Sequence, residues 1–388
     1  MTRRAKPLRI AVVGGGPAGL YFAELMKRRH PAHEVRVYER NARDATFGFG
    51  VVFSDRALEF LRADDAELYA ALLPHVESWG DLTVVHRDTP LPIDGNGFAA
   101  IGRLALLNLL QARAERRGVQ LLFAHEAPPL VALEADADLV VAADGAHSLL
   151  RQAHAAALGA TVAERPNRFC WYGTTKAFDT LTLTFRSAPE GVFCAHHYRY
   201  APHMSTFLVE VDAATWERSG LARMAARGAE AEAIALCERI FAPELEGLPL
   251  VSNRSLWRTF PVVRCERWSA GRLVPIGDAL RTAHFSVGSG TRLAMEDALA
   301  LARALDEADG DLPAAFARFE ALRRPPMEKL WAAAHASMEW YERMADWMAL
   351  APYAFAHAYM TRTGRVSEAQ LQRIAPRFMA RYRAAEGA

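Results

Sequence analysis

The stretch LRIAVVGGGPAGLYFAELMKRRHPAHEVRVYER, residues 8 to 40, decides the fold. LRIAVV is a short apolar run that meets three glycines. PAGLYFAELMKRR carries apolar residues at helical spacing, and HEVRVYER alternates before ending in an acid. Gly14, Gly16 and Gly19 form G-x-G-x-x-G directly after the strand and at the start of the helix, and Glu39 lies twenty residues beyond Gly19. Glycines there permit a tight turn and a close backbone approach. The helix start, at Pro17 and Ala18, receives a pyrophosphate, and an acid at the end of the next strand accepts hydrogen bonds from a ribose. The spacing predicts a strand–turn–helix–strand unit that binds a dinucleotide, with Arg40 beside the ribose acid.

Two more turns of this kind lie further along. ADLVVAADGAHS, from 137, reads as a strand running into Asp144-Gly145, with His147, Ser148 and Arg151 after it. RLVPIGDALRTAHFSVGSGTRLAMEDA, from 272, reads as a strand into Gly277-Asp278. A small-residue loop with His284, Phe285 and Ser286 follows, and then a helix opened by Gly288, Ser289, Gly290 and Thr291. Between these motifs the texture differs. Residues 56 to 79 read as helical, 80 to 101 as short strands with a turn at Asp94–Gly97, and 103 to 117 as an amphipathic helix. From 167 to 211 the segments are β-branched and aromatic, which predicts an antiparallel sheet. Residues 213 to 242 read as helical, LWRTFPVV as strand-like, and 325 to 388 as helical and aromatic.

The fold predicted is α/β, in three parts. Residues 1–79, 100–165 and 266–324 form the nucleotide-binding domain. Residues 80–99 and 166–265 form an antiparallel-sheet domain for the substrate, and 325–388 a helical C-terminal part.

A length of 388 residues suffices for two or three such units. With 51% apolar and 23% charged residues and a net charge of +1, the chain is expected to bind neither nucleic acid nor an anionic membrane. Cys170, Cys194, Cys237 and Cys265 are widely spaced and form no CxxC, so they read as buried small hydrophobes in a reducing compartment. The N-terminal apolar run is too short for a signal peptide, and every long apolar stretch is interrupted by charges. These features together predict a cytoplasmic protein.

The single G-x-G-x-x-G with the Asp144-Gly145 and Gly277-Asp278 motifs, in this order and spacing, resembles the FAD-dependent aromatic hydroxylases of the p-hydroxybenzoate hydroxylase type. The likeness covers nearly the whole chain. It implies a Rossmann-like FAD-binding domain in which Gly277-Asp278 holds the ribityl chain and pyrophosphate. It also implies that Asp144-Gly145 serves FAD and NAD(P)H, and that Arg103, at the start of the middle helix, contacts the FAD phosphates. Three positions depart from the wider pattern: Arg281 stands for a histidine, Phe285 for a proline and Arg292 for an asparagine. FGFGVVFSD (47–55), FCWYGTTKAFD (169–179), AHHYRY (195–200), MSTFLVE (204–210) and SNRSLWRTFP (252–261) narrow the resemblance to the salicylyl-CoA 5-hydroxylase group.

That resemblance implies hydroxylation of an electron-rich ring through a flavin C4a-hydroperoxide, with O₂ as co-substrate. Without a second G-x-G-x-x-G, NAD(P)H is expected to bind transiently. The amides of Gly288 to Thr291 would face the flavin pyrimidine edge, where negative charge develops on reduction. Strand alternation in AHHYRY puts His196, Tyr198 and Tyr200 on one face and His197 and Arg199 on the other. His196 is the first candidate to hydrogen-bond the ring OH or NH₂, and His284 the second. Trp171, Tyr198, Phe285 and Ser286 are candidate pocket walls, and no metal is expected. The substrate stays open between an aromatic acyl-CoA thioester such as salicylyl-CoA and a free or carrier-tethered aromatic such as tryptophan or an anthranilate derivative. A flavin reductase or sensor without oxygen transfer is a third reading. Monomer and homodimer are both open.

Overall fold

The computed structural model describes residues 6–54 and 58–387; Asp55, which closes the FGFGVVFSD segment, and the first two residues of the helix expected over 56–79 lie outside them. The five-stranded sheet is parallel throughout, in the order Leu273–Pro275, Leu139–Ala142, Arg9–Val13, Glu34–Tyr38, Gln120–Leu122. Ile10–Val13, Leu139–Ala142 and Leu273–Pro275 are continuous apolar runs, as both-sided burial requires, while Glu34–Tyr38 alternates. Ile10, Val12, Val35, Val37, Leu139, Val140, Val141, Leu273 and Val274 are all buried in one core with the helices Pro17–Arg29, Arg103–Arg116 and Gly290–Glu307. The three motif turns, and Glu39 after its strand, leave the sheet at its carboxyl edge, where open parallel sheets bind their ligands.

The second sheet has seven strands, in the order Leu250–Val251, Arg168–Thr174, Met204–Val211, Gly191–Ala201, Leu181–Ala188, Leu82–His86, Thr89–Ile93. Its pairs are antiparallel except that of Leu181–Ala188 with Leu82–His86. The outermost strand, TPLPI, has Pro90 opposite Val85 and Pro92 opposite Thr83. One face of this sheet packs under the C-terminal helices, through Phe185, Trp340, Tyr341, Phe355 and Tyr359. The other packs on the helices between Ala213 and Leu245, through Phe193, Phe207, Leu236 and Phe241.

Three expectations change. Residues 56–79 are not one helix: short helices at Glu59–Asp64 and Ala66–Leu72 give way to the strand Val76–Trp79, which pairs with Phe98–Gly102. The strand is decided by a partner some twenty residues away, which local periodicity does not register. In LWRTFPVV, only Pro261–Cys265 is a strand, paired with Ala160–Glu164. The helix Leu312–Glu342 runs through Pro325 and Pro326, so residue 325, where a helical C-terminal part was expected to begin, lies inside a continuous helix. All four cysteines are free and buried. Burial pushes the Cys265 thiol up to about 11 and the Cys170 thiol up to about 12, so neither is an available nucleophile. No described helix is long and apolar enough to cross a membrane.

Candidate active site

At the first turn Gly14 adopts φ +109°, and a Cβ there would come within 2.3 Å of the Ala143 carbonyl oxygen. A Cβ on Gly19 would come within 2.1 Å of the Gly14 carbonyl oxygen, so helix and strand pack backbone to backbone. Gly16 differs: a Cβ there would meet no protein atom within 4 Å, although its backbone is extended and suits any residue. It faces open space at the start of the helix Pro17–Arg29, whose first amides have no intrahelical partner. Beside it the Glu39 carboxylate is held by the Gly15 amide at 2.8 Å and the Asn41 amide at 2.8 Å.

The Asp144 carboxyl is oriented by the Leu149 amide, 2.9 Å from Oδ2, while Oδ1 is buried with no partner. Burial pushes this carboxyl above the usual carboxylate range, against the pull of Ser148 and the backbone amides. The buried Arg151 guanidinium ties this turn to the next one, donating to the Ala146 carbonyl at 2.6 Å and the Ala279 carbonyl at 3.2 Å. Asp278 opens onto the cavity but lies deep in the protein, and this depth raises its pKa despite Arg103 and Arg281 nearby. Depth likewise lowers the Arg103 guanidinium, which Asp278 offsets only in part. Arg103 forms no ion pair among the described residues, so its charge is left for a ligand.

These groups line one end of a continuous cavity of about 1390 Å³. Gly14, Gly16, Pro17, Ala18, Glu39, Arg40, Arg103, Asp144, Gly145, Asp278 and the run Gly288–Thr291 all reach it. Gly19 and Gly277 lie in the scaffold behind. The residues that start the helix Gly290–Glu307 line the same space. The donor set fits FAD: one helix start and an unpaired guanidinium for phosphates, a second helix start for the ring edge, carboxylates for hydroxyls, and open space over Gly16.

The other end of the cavity lies against the seven-stranded sheet, and Trp171, His196, Tyr198, Phe285 and Ser286 line it. The register places Trp171, Leu208 and His196 in one row across three strands, and Gly173, Thr206 and Tyr198 in the next. His197 faces away, stacked on Phe207 at 5.1 Å and bonded through Nε2 to Thr184 at 3.0 Å. Tyr198 donates to the Gly50 carbonyl at 2.9 Å. Phe285 packs on Phe169 at 4.8 Å and edge-on to His196 at 5.4 Å.

His284 does not reach the cavity. It lies against Phe285 and Phe260, with Nδ1 2.8 Å from the Ser286 hydroxyl. Ser286 continues to Ser337 at 2.8 Å, and Arg362 donates to Ser337 at 2.9 Å and to the Ser286 carbonyl at 3.0 Å. The turn Phe285–Val287 brings the phenyl ring to the cavity and folds the imidazole inward. The three departures are explained by packing. Arg281 chelates the buried Asp297 at 2.8 Å, with Arg323 at 2.9 Å and the Gly277 amide at 3.1 Å on the same carboxylate. Arg292 pairs with Glu296 at 2.7 Å, and Phe285 joins the aromatic wall. Groups that sequence reading passed over are Glu210, Asn167, Tyr341 and Arg362. The signal for Glu210 is an acid within the apolar run Phe207–Val211. No group of three or more His, Cys, Asp or Glu side chains is placed to hold a metal among the described residues.

Burial lowers the imidazole of His284 to about 4, against the pull of Glu210, and that of His197 to about 3. An unfolded histidine titrates near 6.5. Between these values the unfolded chain binds more protons than the folded one, so stability falls as pH drops through 6.5. Urea unfolding at pH 7 and pH 5 is expected to show a loss of about 2 kcal/mol for each of the two imidazoles. A His197→Phe protein should lose about 2 kcal/mol less than the wild type between the two pH values, the share of that one imidazole. Equal losses in both proteins would mean that His197 is charged in the fold.

A family model described as FAD binding domain matches residues 8–309. The chain is 42% identical over 362 residues to salicyloyl-CoA 5-hydroxylase from Streptomyces sp, covering 92% of this chain and 70% of that protein. It is 39% identical over 341 residues to 3-hydroxy-4-methyl-anthranilyl-(aryl-carrier protein) 5-monooxygenase from Streptosporangium sibiricum, covering 87% of this chain and 90% of that protein. A crystal structure of 2-methyl-3-hydroxypyridine-5-carboxylic acid oxygenase superposes with a TM-score of 0.67 at 16% identity. That match spans 95% of this chain and 96% of the other, and is a likeness of fold.

Proposed function

The chain belongs to the FAD binding domain family and is an FAD-dependent aromatic monooxygenase, and we propose that its substrate is an ortho-substituted aromatic acyl thioester, hydroxylated at the 5-position of the ring. The observation that carries this reading is one cavity joining the glycine-turn end to an aromatic sheet face. The names of the two relatives support the finer part, since each describes a 5-hydroxylation of an ortho-substituted benzoyl thioester. NAD(P)H serves as a transient electron donor.

When bound and reduced, FAD supplies oxygen activation; the chain's own residues do the rest. The helix start at Gly16–Gly19 and the Arg103 guanidinium would hold the pyrophosphate, Glu39 the ribose, and Asp278 the ribityl hydroxyls. The helix start at Gly288–Thr291 would stabilise negative charge on the reduced ring edge. Trp171, Tyr198 and Phe285 clamp the substrate ring and keep water out, with Ser286 at the edge of that wall. His196 accepts a hydrogen bond from the ring substituent and takes its proton as the ring becomes electron-rich.

The test is NAD(P)H oxidation by the purified yellow protein in air, with salicylyl-CoA, 2-aminobenzoyl-CoA, free salicylate or tryptophan, and product masses measured. A thioester that stimulates oxidation at least tenfold and gains one oxygen is the expected result. Stimulation by a free aromatic alone overturns the thioester assignment. Oxidation with no oxygenated product from any of the four overturns the substrate class.

A further inference from the structure

Glu210 is 1% exposed, in the strand Met204–Val211. It pairs across the sheet with Cys194, one row from His196, so both side chains stand on the cavity face. Its Oε1 accepts from Asn167 Nδ2 at 2.8 Å, while its Oε2 lies 3.4 Å from His196 Nε2, close enough for an ion pair but not aligned as a hydrogen bond. Neither of these last two buried atoms has another hydrogen-bond partner among the described residues. No arginine or lysine pairs with it among the described residues. Burial alone would raise this carboxyl, yet His196, His284 and Asn167 together hold it below the usual carboxylate range. A buried carboxylate without a permanent cation is costly. Here it stands beside Nε2 of an imidazole whose ring is fixed by Tyr341, stacked at 5.1 Å, and Phe285, edge-on at 5.4 Å.

We propose that Glu210 is a positioning residue: its carboxylate, itself oriented by Asn167, sets the His196 ring so that Nε2 carries the hydrogen and Nδ1 is the free lone pair for the substrate. The inference rests on the reading that His196 meets the ring substituent. An ionised carboxylate accepts hydrogen bonds and donates none, so it selects the Nε2–H tautomer. When a ring hydroxyl is the donor, its O–H bond breaks, the electron pair stays on oxygen, and an N–H bond forms at Nδ1. The imidazolium so made lies beside the Glu210 charge, and the proton returns to that oxygen in the product. Glu210 touches neither substrate nor cofactor; it acts through His196.

The test compares Glu210→Gln with the wild type, both as FAD-bound full-length protein. Glutamine keeps the size and can still accept from Asn167, but it also presents donors to the imidazole. With ¹⁵N-labelled histidine, the His196 ring signal is assigned by its loss in His196→Asn. The wild type is expected to show one tautomer, protonated at Nε2, and Glu210→Gln a mixture or the Nδ1–H form. With the thioester substrate, kcat is expected to fall about 100-fold with KM within threefold and FAD content unchanged. Glu210→Asp, which keeps the charge, should recover at least tenfold of that loss. An unchanged tautomer in Glu210→Gln overturns the proposal, and so does unchanged kcat. If no thioester supports turnover even in the wild type, the substrate reading fails, while the tautomer comparison still decides the role of Glu210.

Discussion

A Gly16→Val protein is expected to purify folded and colourless. The usual reason a glycine cannot be replaced is that its own chain crowds it, as at Gly14 and Gly19. Gly16 is different, because a Cβ there would meet no protein atom within 4 Å and its backbone angles, φ −78° and ψ 178°, suit a β-branched residue. Valine would fill the approach to the amides of the helix Pro17–Arg29 instead. The pyrophosphate of FAD would then lose its backbone contact and its place at the helix start. We expect FAD affinity to fall by three orders of magnitude or more, about 4 kcal/mol. The urea midpoint of the apoprotein should match that of wild-type apoprotein. Gly19→Val is the control that should fail differently, by unfolding, since its side chain would run into the Gly14 carbonyl. Isothermal titration of the apoproteins with FAD makes the measurement. Tight FAD binding by Gly16→Val would show that the cradle serves something else.

The second large effect is expected at His196. The His196→Ala protein should stay yellow with one FAD per chain, because the residue lies at the sheet end of the cavity, away from the glycine turns. Product formation should fall by about 10²–10⁴-fold, the range for losing a positioned acid–base group. NAD(P)H consumption should fall less, so that less product forms per NAD(P)H oxidised. The ratio of product to NAD(P)H consumed is the deciding measurement. Unchanged turnover and coupling would remove His196 from the chemistry and leave it as part of the wall with Phe285 and Tyr341.

What was legible in the sequence follows from how far apart the cooperating residues lie. The first turn could be read because strand, glycines, helix and acid all fall within residues 8 to 40, each constrained by its immediate neighbours. The alternation in AHHYRY put His196 and Tyr198 on one face, and they share the cavity face in the structure. Distance along the chain hid the rest. Glu210 meets His196 through the pairing of two strands, and Tyr341 reaches it from the long helix some 145 positions away. In the loop after Gly277-Asp278, sequence shows a histidine, a phenylalanine and a serine in a row. Only the turn Phe285–Val287 decides that Phe285 faces the cavity and His284 does not. Val76–Trp79 is a strand because Phe98–Gly102 pairs with it, a fact outside the window in which helical spacing is judged.

The outer hairpin, Leu82–His86 with Thr89–Ile93, leaves the ribosome roughly a hundred residues before its parallel partner strand, which begins at Leu181. At ordinary translation rates that is a wait of about 5–20 s with both flanks unpaired. On the outer strand, a proline within a paired segment must turn its nitrogen away from the partner, so Pro90 and Pro92 occupy the outward positions and remove the hydrogen-bond donors from that flank. A nascent chain of the same kind, or any other strand, finds carbonyls there but no amides to complete a ladder. The inner flank keeps its donors and waits for Leu181–Ala188. The two prolines thus bias a half-made polypeptide toward its own later segment and away from its neighbours on the polysome.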